Sequence, residues 1–339
     1  MPELRPGGAR LRRLSVQGLR HFHLHHVRIQ GSHSLRAVRG QRDRCNRSAG
    51  RGDRHCARVG GFPRNGLARA LIDSLSGGAS RAQSGRATVR VSIAPLLESP
   101  QASAAQLSQI LRGHQADVVD AEGKWLRLRG ADGYEGWCHR GYLETEPASA
   151  ALPLASAWGA ERRMSIGCTV RSVTSGSLDL PLGALLDPDE EVTRGLAMNN
   201  RARLRYFEPE SYALIRRSME LFRGAPYQWG GVTPWGADCS GFVQTMFALH
   251  GTQLPRDAWM QGERGREVSN ELIDFEPADL LFFSDRDDGR PTHVALSLGE
   301  SRCLHCSLAN GGFGINTLDG DDPVARELRD TFRFARRIL

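Results

Sequence analysis

The chain has 339 residues and a mass of 37.3 kDa, which is enough for two or three domains. Hydrophobic residues make up 40% of it, as in chains that bury a core, and no stretch approaches the 18 consecutive apolar residues of a membrane-spanning helix. Seven cysteines in so long a chain do not form a disulfide framework, so we expect a reducing compartment.

The net charge of +7 is unevenly distributed along the chain. The first 90 residues hold 19 Arg, no Lys and 4 acidic residues, a local net charge of +15, whereas the remaining 249 residues have a net charge of −8. Residues 1–85 show almost no apolar periodicity, which predicts a disordered, Arg-rich leader, and we favour a non-native leader from a misassigned start. The alternatives are a nucleic-acid-binding arm and a metal-binding tract in the His-rich run at residues 21–26.

Alternating segments from Thr88 onward predict a small β-barrel over residues 86–146. A glycine turn at residues 130–133 separates the last two of these segments. The predicted strands are Val89–Ile93, Ala116–Asp120, Trp125–Arg129 and Tyr134–Cys138.

Residues 147–206 repeat this pattern more loosely and predict a second small β domain. Its apolar runs are shorter and less regular than those of the barrel. They lie at residues 152–154, 169–173, 178–182 and 202–206.

After Pro209 the pattern becomes helical, and residues 207–339 predict one mixed α+β domain. Apolar residues from Tyr212 to Phe222 recur at spacings of three and four, which predicts a helix that ends near Gly224. A second helix is predicted from Asp238 to Leu249, with Gly251 as its terminator. The strands predicted after it are Leu280–Phe283, Val294–Leu298, Cys303–Ser307 and Phe313–Leu318.

Cys239 lies in the first turn of the second predicted helix, where unpaired amides and the helix dipole favour a thiolate. His293 begins one predicted strand and His305 lies in the next, so two antiparallel neighbours can bring the rings together. The second histidine can then orient the first, as in a Cys–His–polar triad. The alternative is that these three residues belong to the core or the surface without a chemical role.

Cys303 and Cys306 form a C-x-x-C pair that could hold a metal or act as a redox site. On a strand the two side chains face opposite sides, which disfavours both interpretations.

Residues 207–339 resemble the NlpC-type cysteine peptidases, papain-like enzymes that cut the stem peptides of bacterial peptidoglycan. The resemblance implies that Cys239 is the nucleophile, that His293 is the general base and then the acid, and that His305 orients it. It also implies that Tyr227 supports the oxyanion with nearby backbone amides, the alternative being a buried core tyrosine. The matching residues are Pro226-Tyr227, Gly230-Gly231, Asp238-Cys239-Ser240-Gly241-Phe242-Val243, Leu254-Pro255-Arg256-Asp257, Ala278-Asp279-Leu280-Leu281-Phe282-Phe283, His293-Val294-Ala295 and Leu304-His305.

Upstream, Gly123-Lys124-Trp125 and Asp132-Gly133-Tyr134-Glu135-Gly136-Trp137, after Ser108–Leu111, resemble the bacterial SH3-like barrel of the γ-D-glutamyl-L-diamino acid endopeptidase branch. We therefore expect an α+β protein, with a papain-like domain at 207–339 preceded by SH3-like domains at 86–146 and 147–206.

The same branch resemblance assigns Tyr134, Ser240 and Asp257 to recognition of a free N-terminal L-Ala. The alternatives are barrel packing beside Trp137 for Tyr134 and a helix N-cap for Asp257.

The resemblance implies hydrolysis of the bond from γ-D-glutamate to diaminopimelate or L-Lys in peptidoglycan-derived peptides, without a metal or other cofactor. The alternatives are an amidase or acyltransferase acting on another cell-wall substrate, and a non-catalytic wall-binding protein. We expect no membrane partner and, apart from the basic leader, no nucleic-acid partner. The sequence as it stands predicts a cytoplasmic location, and a different true start would allow export.

Overall fold

The computed structural model describes residues 85–147, 162–172 and 176–339 of the chain. All of them belong to one compact unit, Leu67–Leu339. The predicted disordered leader lies outside the described residues except for Gly85, which begins the first strand. No helix within the described ranges has the length and apolar character needed to cross a membrane.

A seven-stranded antiparallel sheet, in the order β3-β2-β6-β5-β4-β1-β7, forms the first domain around its own apolar core. The predicted strand Val89–Ile93 is wrong, because residues 90–92 form a bend between two strands. Burial does not follow the alternation of the sequence there, since Val91, Ser92 and Ile93 are all half-buried after the exposed Arg90. The strands are β1 (Gly85–Val89), β2 (Ile93–Leu97), β3 (Gln106–Leu111), β4 (Gln115–Glu122), β5 (Trp125–Arg129), β6 (Glu135–His139) and β7 (Leu143–Pro147).

The next segment forms a three-stranded antiparallel sheet followed by a short helix, α1 (Asn200–Tyr206). The predicted β run at 202–206 is therefore wrong. The side chain of Asn199 accepts a hydrogen bond from the Ala202 amide at 2.9 Å, and this N-cap starts a helix. The run at 152–154 lies outside the described residues, so a second complete barrel stays a prediction. The strands are β8 (Met164–Ser172), β9 (Gly176–Leu180) and β10 (Glu191–Met198), in the order β10-β8-β9.

The last domain combines helices with a six-stranded antiparallel sheet, in the order β13-β18-β14-β15-β16-β17. Both predicted helices are confirmed, and so are the four predicted strands to within one residue at each end. The helices are α2 (Ser211–Leu221), α3 (Cys239–Leu249), α4 (Ala258–Gln261) and α5 (Pro323–Thr331). The strands are the pair β11 (Val232–Thr233) and β12 (Gly236–Ala237), then β13 (Arg266–Val268), β14 (Leu280–Phe283), β15 (His293–Gly299), β16 (Arg302–Ser307), β17 (Gly312–Thr317) and β18 (Phe332–Arg337).

Both faces of this sheet are covered, so its central strands are apolar along their length. In β14, Leu280 and Phe282 pack into the core that contains α3, whereas Leu281 and Phe283 pack into a second core with Leu328 of α5. This packing fixes β15 and β16 next to each other, with the first helical turn of α3 against them.

Candidate active site

Cys239 is the first residue of α3, and its helix is started by the carboxylate of Asp238. Oxygen Oδ1 of Asp238 accepts a hydrogen bond from the Gly241 amide at 2.7 Å, and Oδ2 accepts one from the Gly230 amide at 2.8 Å. A Cβ atom at Gly241 would lie 2.1 Å from the carbonyl oxygen of Gly231. The turn that presents Cys239 therefore requires glycine at position 241.

A buried ion pair joins this turn to the barrel. Arg256 is 2% exposed and forms a two-pronged contact with Asp238, from Nη2 to Oδ2 at 2.7 Å and from Nη1 to Oδ1 at 3.0 Å. Its Nε donates to Ser108 Oγ of β3 at 3.0 Å. We assigned no role to Arg256 from the sequence. The available signal was its position between the second predicted helix and the candidate residue Asp257.

His293 and His305 are brought together as predicted, and Asn316 of β17 extends them into a chain. The distance from His293 Nε2 to His305 Nδ1 is 2.7 Å, and that from His305 Nε2 to Asn316 Oδ1 is 2.8 Å. The amide oxygen accepts a hydrogen bond from the protonated Nε2 of His305, so His305 Nδ1 accepts a hydrogen bond from His293 Nε2. His293 Nδ1 is then left unprotonated, which is the state that a general base requires.

Asn310 holds the amide of Asn316 in this orientation. Its Nδ2 donates to Asn316 Oδ1 at 2.6 Å. We identified neither asparagine from the sequence, since each lies several residues beyond His305 and neither belongs to a recognised pattern.

The thiol of Cys239 lies beside the start of β15, where the amide of Val294 contacts it. Burial and the neighbouring Asp238 carboxylate raise the pKa of the thiol to about 12, which opposes the thiolate expected from the helix terminus. Burial, reinforced by His305, lowers the pKa of His293 to about 3. No hydrogen bond joins Cys239 to His293 in the described chain, and the two pKa shifts both favour the neutral form of the group.

Tyr227 lies next to the thiol, in the loop that pairs with Ala237. Burial raises the pKa of its hydroxyl, and the proximity of Cys239 adds to the effect. Tyr227 also lines the cavity that contains His293 and His305. The geometry therefore places its ring where the sequence predicted it.

Tyr134 and Asp257 meet across the boundary between the barrel and the last domain. The hydroxyl of Tyr134 donates to Asp257 Oδ1 at 3.0 Å, and Trp259 Nε1 donates to Oδ2 at 3.3 Å. Asp257 occupies the N-cap position of α4 but its side chain makes no capping bond, so the N-cap alternative does not account for its carboxylate. Ser240 is buried close by, and its Oγ accepts a hydrogen bond from Arg256 Nη1 at 2.9 Å.

The C-x-x-C pair does not form a common site. Cys303 packs into the core with α5, whereas Cys306 packs into the core with α3 and donates to the Ala237 carbonyl oxygen at 3.0 Å. Across the described ranges no cluster of His, Cys, Asp and Glu side chains is arranged to hold a metal ion. The His-rich run at residues 21–26 lies outside those ranges.

Residues 224–328 match the sequence model of the NlpC/P60 family, and residues 93–144 match that of the bacterial SH3 domain. A dipeptidyl-peptidase 6 of Lysinibacillus sphaericus is 28% identical over 270 residues, which are 71% of this chain and 94% of that protein. A γ-D-glutamyl-L-lysine dipeptidyl-peptidase of Bacillus cereus is 29% identical over 62% of this chain and 70% of its own length.

A solved NlpC/P60 family structure from Bacillus cereus has the same fold, with a TM-score of 0.58 and 22% identity over 75% of this chain and 99% of its own. The fold thus agrees with both sequence matches, and Cys239, His293 and His305 lie within the segment that matches the NlpC/P60 family. Residues 224–328 therefore carry an NlpC/P60 domain that follows a bacterial SH3 domain at residues 93–144, and the chain is a cysteine peptidase.

Proposed function

We propose that this peptidase hydrolyses the amide bond between γ-D-glutamate and diaminopimelate or L-Lys in peptidoglycan peptides that begin with a free L-Ala. The observation that carries the proposal is the hydrogen bond between Tyr134 and Asp257, which lies close to the Asp238–Arg256 pair at the start of the Cys239 helix. The name of the Bacillus cereus relative, a γ-D-glutamyl-L-lysine dipeptidyl-peptidase, supports the same bond.

In the proposed reaction, Cys239 Sγ attacks the γ-carbonyl carbon of D-glutamate while His293 Nδ1 takes the thiol proton. Because the pKa shifts of both groups favour their neutral forms, proton transfer accompanies the attack rather than preceding it. The C–N bond then breaks, His293 returns the proton to the leaving amine, and a thioester remains on Cys239. Water resolves the thioester with His293 again acting as the base.

His305 orients His293 in this reaction, and Asn316 fixes the tautomer of His305. Tyr227 and the backbone amides near Cys239 stabilise the oxyanion that forms on the γ-carbonyl oxygen. The protein needs no metal or organic cofactor for any of these steps.

Asp257 binds the α-ammonium group of the N-terminal L-Ala in this proposal, with Tyr134 holding the carboxylate and Ser240 offering a hydroxyl oxygen. The neighbouring Arg256 pairs with Asp238, and Asp257 takes part in no ion pair within the described ranges, so its charge is available to a ligand. Peptides still attached to muramic acid have an amide in place of the ammonium and lose this contact. The barrel therefore restricts the enzyme to free peptides, which fits recycling in the cytoplasm.

Replacement of the proposed nucleophile tests this assignment. Cys239→Ala is expected to abolish cleavage of L-Ala-γ-D-Glu-L-Lys while circular dichroism stays unchanged. The matched control is Cys168→Ala, at a buried cysteine of the three-stranded sheet, which should retain activity. Undiminished hydrolysis by the Cys239 variant would contradict the proposal.

A further inference from the structure

A cavity of about 230 Å³ opens beside His293 and His305. Tyr134, Ser240 and Asp257 do not line it. Part of its wall is apolar, from Leu308, Val324 and Leu328, and the remaining lining residues include Tyr227, Asp285, Thr292, His293, His305 and Glu327. We call this space the His293 cavity.

The chemistry of acyl transfer says which part of a substrate lies here. The base that takes the thiol proton must pass it to the leaving amine, so the leaving residue contacts His293. The N-terminal part of the substrate lies towards Asp257 under the proposed function. The His293 cavity therefore receives the amino acid that follows the cleaved bond.

Two carboxylates, those of Asp285 and Glu327, line the His293 cavity. Asp285 follows β14, and its Oδ1 accepts a hydrogen bond at 3.0 Å from the hydroxyl of Thr292, the residue before His293. Glu327 lies one helical turn before Thr331 of α5. The Ser284 amide donates to the Thr331 carbonyl oxygen at 2.8 Å, which ties the two elements together.

The cations near these two carboxylates are engaged elsewhere. Arg286 pairs with Asp288 at 2.8 Å, Arg333 donates to the Ser284 carbonyl oxygen at 2.7 Å, and Arg290 stacks on Trp259 at 3.8 Å. In the part of the chain that the structure describes, Asp285 and Glu327 take part in no ion pair, and no Lys or Arg lines the His293 cavity. Arg286 also interacts electrostatically with Asp285, but it does not line the cavity. The cavity thus combines an apolar wall with two carboxylates that form no ion pair among the described residues.

We propose that the His293 cavity is a subsite for a leaving amino acid whose long side chain ends in an ammonium group alone, with Asp285 and Glu327 as its specificity-determining residues. This inference rests on the proposed function for the direction of the substrate. An L-Lys side chain packs its methylene groups on the apolar wall and its ammonium group between the carboxylates. The side chain of meso-diaminopimelate ends in a carboxylate as well, which Asp285 and Glu327 repel, so the enzyme prefers L-Lys.

Three peptides that differ only in the leaving residue test the proposal. They are L-Ala-γ-D-Glu-X amides in which X is L-Lys, meso-diaminopimelate or L-norleucine, the last having the length of lysine without its charge. Each is assayed for kcat/KM with the wild type, Asp285→Asn, Glu327→Gln and the double variant. The matched controls are Asp287→Asn and Asp330→Asn, which remove exposed charges from the same loop and the same helix outside the cavity.

The wild type is expected to prefer the lysine peptide to the norleucine peptide about tenfold, since two partly exposed charge contacts contribute. The preference should fall about threefold in each single variant and nearly vanish in the double variant, whereas the controls keep it. Equal kcat/KM for lysine and norleucine, or for lysine and diaminopimelate, would overturn the subsite while leaving the proposed function standing. If no peptide is cleaved at the γ-D-glutamyl bond, the proposed function fails instead.

Discussion

Removal of the N-terminal ammonium group from the substrate tests how Asp257 contributes to binding. The des-amino peptide propionyl-γ-D-Glu-L-Lys keeps the size of the L-Ala residue but has no charge to offer. Because Asp257 is half-buried and accepts hydrogen bonds from Tyr134 and Trp259, its carboxylate is fixed in place before the substrate arrives. Leaving one partner of a buried charge pair alone costs about 2–5 kcal/mol, and partial exposure favours the lower end. We therefore expect kcat/KM to fall by about thirtyfold.

A double-mutant cycle isolates this contact. Asp257→Asn keeps an oxygen that can accept from Tyr134 but removes the charge, so the variant should discriminate between the two peptides only about threefold. Asp330→Asn, an exposed charge on α5, is the control and should behave as the wild type does. The assay is kcat/KM for both peptides with all three proteins. An equal loss of kcat/KM in the wild type and in Asp257→Asn would refute the recognition role.

Three further predictions concern the supports of the site. Arg256→Ala leaves Asp238 buried without its partner, and urea denaturation should show that the free energy of unfolding falls by about 3–5 kcal/mol. The control Arg286→Ala, in an exposed pair, should lower it by less than about 1 kcal/mol. Similar losses for the two variants would be evidence against the buried pair. Because burial lowers the pKa of His293 to about 3, the unfolded chain binds a proton between pH 6.5 and 3 that the folded chain excludes. Stability is thus full above pH 6.5 and falls below it, and the wild type should lose about 2 kcal/mol more than His293→Gln between pH 6.5 and 5; parallel curves would contradict the shift. Asn316→Leu should lower kcat about tenfold at nearly constant KM, since His305 loses the acceptor that fixes its tautomer, and an unchanged kcat would exclude that role.

The sequence predicted the elements that local patterns define. The 3.6-residue period of α3 and the apolar runs of β15 and β16 place Cys239, His293 and His305 in their elements, and strand order brings the two rings together. We did not predict Asn316 from the sequence, because its contact with His305 depends on the register in which β16 and β17 pair. Gly314 pairs with His305 in β17, and the amide of Asn316 reaches the ring from two residues away.

The misplaced elements and the thiol pKa have tertiary causes. Residues 202–206 alternate apolar and charged side chains as a half-buried strand does, but the Asn199 cap and the packing of Tyr206 favour a helix. The helix terminus at Cys239 predicted a thiolate, whereas burial and the Asp238 carboxylate raise the pKa of the thiol, against the opposing effects of the Val294 amide and Arg256. The burial involves β15, which packs on α3 although it lies far from Cys239 in sequence. Desolvation depends on such long-range packing and leaves no local pattern.

Mass analysis of the products from L-Ala-γ-D-Glu-L-Lys, digested in ¹⁸O-labelled water, tests the central claim most directly. Thioester hydrolysis at Cys239 predicts two products, free L-Lys and the dipeptide L-Ala-γ-D-Glu with one ¹⁸O atom in its γ-carboxylate. Fragments from any other bond, such as free L-Ala with γ-D-Glu-L-Lys, would contradict the account, and so would the labelled dipeptide appearing at the wild-type rate with Cys239→Ala.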